Sequence, residues 1–85
     1  MNVPQLTKLG KLLKEYGVID NEPEVMELVI MLPPPDFYFL DAVKFDDHIS
    51  RKFQDHKTYS GSLHQYLVDK FGQDFWDKFE NIALK

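Results

Sequence analysis

Three histidines, His48, His56 and His64, fall near Asp46, Asp47 and Asp55, and these are the side chains best suited to holding a metal ion. A site on a helix needs ligands one turn apart, as in paired His or Glu-x-x-His arrangements. The residues four beyond the histidines are Lys52, Ser60 and Val68, and those four before are Lys44, Lys52 and Ser60. No pair is spaced to chelate, so surface histidines are expected and no metal or other cofactor. Hydrolytic chemistry finds no better footing. Ser50, Ser60 and Ser62 lack the Gly-x-Ser-x-Gly turn that exposes a nucleophile. Tyr59-Ser60-Gly61-Ser62 has neither the glycines nor the lysine of a phosphate loop. With no cysteine there is no disulfide, thiolate zinc site or cysteine nucleophile, and a reducing compartment fits. A chain of 85 residues also has little interior for an enclosed pocket. A non-enzyme is expected.

Charge is the more uneven feature. The net value is −4, yet from Glu15 to Val43 there is no Lys, Arg or His at all. That stretch carries Glu15, Asp20, Glu22, Glu24, Glu27, Asp36 and Asp41. Such carboxylates cap helices and keep an apolar protein in solution. They would also form a negative surface that docks on a basic partner, steering association and setting specificity. Asp20, Glu22, Glu24, Glu27, Asp36 and Asp41 are therefore the acidic partner-binding candidates. An acidic chain without a basic block argues against free-standing nucleic-acid binding, which depends on phosphate neutralisation. Leu9 to Val18, bending at Gly17, resembles the entry to a helix-turn-helix. The helix that would then read the groove carries Glu24 and Glu27.

The elements that must position these residues are organised around Val25–Val43, two apolar segments divided by Pro33-Pro34-Pro35. Three fixed φ angles and three missing amides stop any helix or central strand there. Before it, Asn2 caps a first helix with Gln5, and Leu6, Leu9, Leu13 and Tyr16 form its apolar stripe. Gly17 is the expected left-handed stop, and Gly10 marks close packing with a neighbour. Asp20–Glu24 reads as a second helix start, with Val25–Leu32 as a short buried helix or, second, a buried strand. Asp36 caps a third, long helix on which Tyr38, Ala42, Phe45, Ile49 and Phe53 share a face. Residues 57–61 read as a loop. Ser62 with Gln65 opens a fourth helix, ended by Gly72, and Asp74 caps a fifth. Tyr66, Phe71, Phe75, Trp76 and Phe79 lie at helical spacing, which assigns them first to the core. Trp76, where exposed, would be an interface anchor and a face for homodimerisation.

The expectation is one domain over residues 1–85: an all-α, irregular bundle of four to five short helices, or α+β should residues 25–32 form a strand. The N-terminus has no apolar run for a signal peptide, and Leu28–Leu32 is too short to span a bilayer, so a cytoplasmic protein is expected. The expected function is non-catalytic: a small acidic adaptor or inhibitor that docks on a basic protein surface, using the acids, the aromatic C-terminal face, or both. That character would suit an accessory protein of a phage or mobile element. The alternative is a small nucleic-acid-binding regulator of helix-turn-helix type.

Overall fold

The computed structural model describes residues 1–32 and 37–83. Helix α1 spans Val3–Glu15 and opens on a capping box: Gln5 N donates to Asn2 Oδ1 at 3.1 Å while Asn2 N donates to Gln5 Oε1 at 3.0 Å. Leu6, Leu9, Leu12 and Leu13 bury its apolar stripe. Gly17 then takes φ +78°, a left-handed conformation that favours glycine, and Val18 N returns to Leu13 O at 2.8 Å. That turn drives Val18 and Ile19 into the core, where both are buried.

The next segment departs from expectation. Residues 25–32 are not an α-helix. Glu22–Leu28 is a 3₁₀ helix with Pro23 in its first turn, and Val29–Leu32 is strand β1. The strand alternative therefore holds for half of that run. Its partner is β2, Phe37–Leu40, antiparallel, with Val29 opposite Leu40 and Leu32 opposite Phe37. The sheet corrects a purely all-α reading: the architecture is mostly helical with a small two-stranded sheet. Phe37–Leu40 had the aromatic run of a strand, but the Tyr38-Ala42-Phe45 spacing masked it. The expected third helix accordingly starts late, as α2, Ala42–Lys52, capped by Asp41 rather than by Asp36. The proline corner and Asp36 lie outside the described residues.

Phe45 and Ile49 keep α2 on the core. A second 3₁₀ turn, Gln54–Thr58, follows α2 and takes in only the first two residues of the 57–61 stretch that read as a loop. Helix α3, Leu63–Phe71, is capped by Ser62 Oγ accepting from Gln65 N at 3.1 Å, and it ends at Gly72, φ +102°. Helix α4, Gln73–Ala83, begins one residue before Asp74, so Asp74 lies inside its first turn and does not cap it as expected; the helix buries Phe75 and Phe79. Helix α4 packs on both α1 and α3. Tyr16 meets Phe75 edge-on at 5.0 Å, and Phe45 stacks on Phe79 at 5.4 Å. Within the described residues no helix is long and apolar enough to cross a membrane.

Gly10 sits where α1 meets the first 3₁₀ helix. A Cβ there would lie 3.2 Å from Glu22 O and 3.3 Å from Val25 Cγ1. The missing side chain lets the two backbones approach, which is what an internal helix glycine suggested.

Candidate functional site

The histidines are built into the fold in three separate ways. His48 Nε2 donates to Val18 O at 2.8 Å, tying α2 to the turn after α1. His56 lies along α2, its Nδ1 hydrogen-bonded to Ser50 Oγ at 2.8 Å and its Nε2 3.6 Å from Asp46 Oδ1. Ser, His and Asp so placed have the residue types of a hydrolytic triad, and the sequence did not pair them because His56 lies outside α2. Acyl transfer also needs amide donors aimed at the developing oxyanion. Ser50 sits inside α2, so the amides around it belong to the helix ladder. The contact docks the 3₁₀ turn Gln54–Thr58 on α2. Exposed His64 lies flat on Trp76, ring centroids 3.8 Å apart and planes 17° from parallel. Among the described residues no three His, Asp or Glu side chains gather closely enough to hold a metal ion.

The acidic candidates do not form one surface. Asp20 pairs with Lys52 of α2. Glu24 turns inward on its own segment, Oε1 accepting from Asn21 Nδ2 at 3.0 Å and Oε2 from Asp20 N at 3.3 Å. Asp41 is spent on the α2 cap, accepting from Val43 N at 2.9 Å and Lys44 N at 3.4 Å. Glu22 is half-buried with its carbonyl over Gly10, and Glu27 is exposed. Glu27 shares a polar cleft of about 280 Å³ with Leu28, Lys44, Asp47, His48 and Arg51. Cations distant in sequence are thus folded in among the acids. The long uncharged-by-base run is a property of the chain order, and α2 supplies the missing positive charge in space.

Trp76 is half-buried on α4 and walls a shallow groove of about 140 Å³. Leu40, Ala42, Phe45, Leu63, His64, Leu67 and Phe79 complete it, contributed by β2, α2, α3 and α4. Its lining is almost wholly apolar apart from the His64 ring. The volume suits one inserted side chain, well below the roughly 300–1,000 Å³ of small-molecule sites. Asp41 stands between the lining residues Leu40 and Ala42, and exposed Glu80 follows Trp76 by one helical turn. The groove is therefore apolar, and these two carboxylates neighbour its lining residues along the chain. Tyr66, Phe75 and Phe79 are core, as their spacing indicated.

On the other side of α3, a tyrosine–carboxylate network joins α3 to the 3₁₀ turn before it. Buried Tyr66 OH donates to Asp55 Oδ1 at 2.7 Å, and Tyr59 OH donates to Asp69. The Tyr66 hydrogen bond, opposed by partial desolvation and aided by Lys70, holds the Asp55 carboxyl below its usual range. Burial first, and the Asp55 bond second, push the Tyr66 phenol up. The Asp69 bond raises Tyr59 to about 12. Proton-holding phenols facing charged acceptors make this a structural clasp between elements.

Comparison with protein-family models, with curated protein sequences and with solved structures gives no match.

Proposed function

We propose that this chain is a non-catalytic protein-binding module, a small adaptor or inhibitor. Its contact is the Trp76 groove, which receives an apolar side chain that basic residues flank on the partner. The groove carries the reading: Trp and Tyr are favoured anchors, and a concave apolar patch beside a half-buried Trp is where binding energy concentrates. Glu80, exposed one turn after Trp76, and the charge Asp41 keeps while capping α2 would favour a basic partner, acting on orientation and rate more than on affinity. The acids of the first 3₁₀ helix have a smaller part, because they bond their own segment or face cations of α2. The nucleic-acid alternative draws no support from this geometry, since the element that would read a groove is the 3₁₀ helix Glu22–Leu28.

The test is capture of partners from lysate on the immobilised chain, at low and raised salt and after nuclease, beside an Ala42→Arg variant. Ala42 is exposed at the first turn of α2 and lines the groove, so a long cation there obstructs it without emptying the core. A protein retained through nuclease by the parent chain and lost with Ala42→Arg supports the proposal. Retention that disappears with nuclease, or is equal on both chains, refutes it.

A further inference from the structure

His64 stands between two cavities. On one side is the groove of about 140 Å³, which it lines together with Trp76. On the other is a hollow of about 210 Å³, formed with Ser62, Gln65, Val68 and Gln73. His48 and His56 are each fixed by a hydrogen bond, to Val18 O and to Ser50 Oγ. The contact that holds His64 is its stack on Trp76, with ring centroids 3.8 Å apart. The exposed imidazole thus covers one face of an indole that is itself half-buried. An imidazole suits both cavities: its flat face stacks, and its ring nitrogens can bond the amides of Gln65 and Gln73, which donate and accept.

We infer that His64 is a movable cover of the Trp76 groove, an internal competitor for the indole face that a partner side chain would use. Closed, the ring lies on Trp76. Open, it turns about its own side-chain bonds into the hollow beside Gln65 and Gln73 and frees the indole. The regulatory consequence rests on the groove reading above, whereas the cover is a property of the free chain. Stacking of this kind favours the closed form by roughly two- to tenfold. A partner that needs the open form is weakened by the same factor, because only the open fraction is competent to bind. Rotamer exchange at an exposed residue is far faster than protein association, so the loss falls on the association rate and leaves dissociation unchanged. Phenylalanine in place of His64 would keep the stack and lose the nitrogens that suit the hollow, holding the cover closed. Alanine would leave it permanently open.

Trp76 is the only tryptophan, so its emission reports the cover directly. The probe is acrylamide, a small collisional quencher, titrated against the free parent chain, His64→Ala and His64→Phe. His64 is exposed, so neither change empties the core, and circular dichroism checks the fold. The quenching constant should be roughly twofold or more above the parent in His64→Ala, and below the parent in His64→Phe. Equal quenching in all three chains, or the least quenching in His64→Ala, overturns the cover. The regulation is read with the captured and purified partner, which His64→Ala should bind roughly two- to tenfold faster than the parent with unchanged dissociation. Slower association or faster dissociation of His64→Ala would make His64 part of the contact and overturn the proposal. The acrylamide series uses no partner, and the Ala42→Arg capture uses no change at His64. The cover and the groove reading therefore fail separately.

Discussion

Gly10→Ala sets two known effects against each other at the contact between α1 and the first 3₁₀ helix. Inside a helix, Ala is better than Gly by about 1 kcal/mol. The new methyl would meet Glu22 O at 3.2 Å and Val25 Cγ1 at 3.3 Å, so both must move by a few tenths of an ångström. Glu22 O is main chain, and its segment is anchored by buried Val25 and by Leu28, which is fully buried. Overpacking against such a neighbour costs about 1–3 kcal/mol. The net expectation is a loss of about 1 kcal/mol, or about 4–8 °C in Tm for a domain of this size. Urea denaturation followed by circular dichroism reads the difference. Lys11→Gly, at an exposed position of the same helix, isolates the propensity effect and should cost somewhat under 1 kcal/mol. A Gly10→Ala variant more stable than the parent by that same amount would show that α1 and the 3₁₀ helix do not approach this closely.

Asp41→Ala should cost about 1 kcal/mol through loss of the α2 cap, measured in the same urea assay, with Asp41→Asn close to the parent. Phe75→Ala removes a fully buried ring, at about 3–5 kcal/mol, as much as a single core of this size supplies, so the variant should lack a cooperative melt at 25 °C. Asp55 has a folded pKa below its ordinary 3.8, so its contribution is complete above that value and is lost as pH falls through the folded one. Tyr66→Phe should shift the Asp55 carboxyl titration, read by NMR, upward toward 3.8. Tyr59 is raised from 10.0 to about 12, so its contribution is complete below pH 10 and disappears as pH rises toward 12. Tyr59→Phe should flatten the fall in stability across that alkaline window.

Much of the helical framework was legible because local chemistry decides it. Asn2 with Gln5, Gly17, Ser62 with Gln65, and Gly72 each satisfy or stop a helix within a few residues, and all act as their types imply. The hairpin was not legible. Val29–Leu32 is apolar at every position, so it carries no period, and Phe37–Leu40 happens to continue the spacing of α2. Only the pairing of the two, a non-local event, distinguishes strand from helix there. The site divided along the same line. That Tyr66, Phe75 and Phe79 are core followed from helical spacing, whereas the groove needs four elements to meet at Trp76. The acidic run misled for a related reason: Lys52, which pairs with Asp20, and Lys44 and Arg51, which share a cleft with Glu27, stand more than one element away in the chain.

The groove is tested most directly by titrating a captured and purified partner against three forms of the protein. These are the parent, Trp76→Ala with its fold checked by circular dichroism, and a triple variant with Glu22, Glu24 and Glu27 each changed to Gln. Loss of an anchor of this kind costs about 2 kcal/mol or more, so Trp76→Ala should weaken binding roughly 30-fold or more. The triple variant should bind within about threefold of the parent, and Ala42→Arg should behave as Trp76→Ala does. A partner bound equally by Trp76→Ala and lost on neutralising the three glutamates would contradict the account and place the contact on the first 3₁₀ helix.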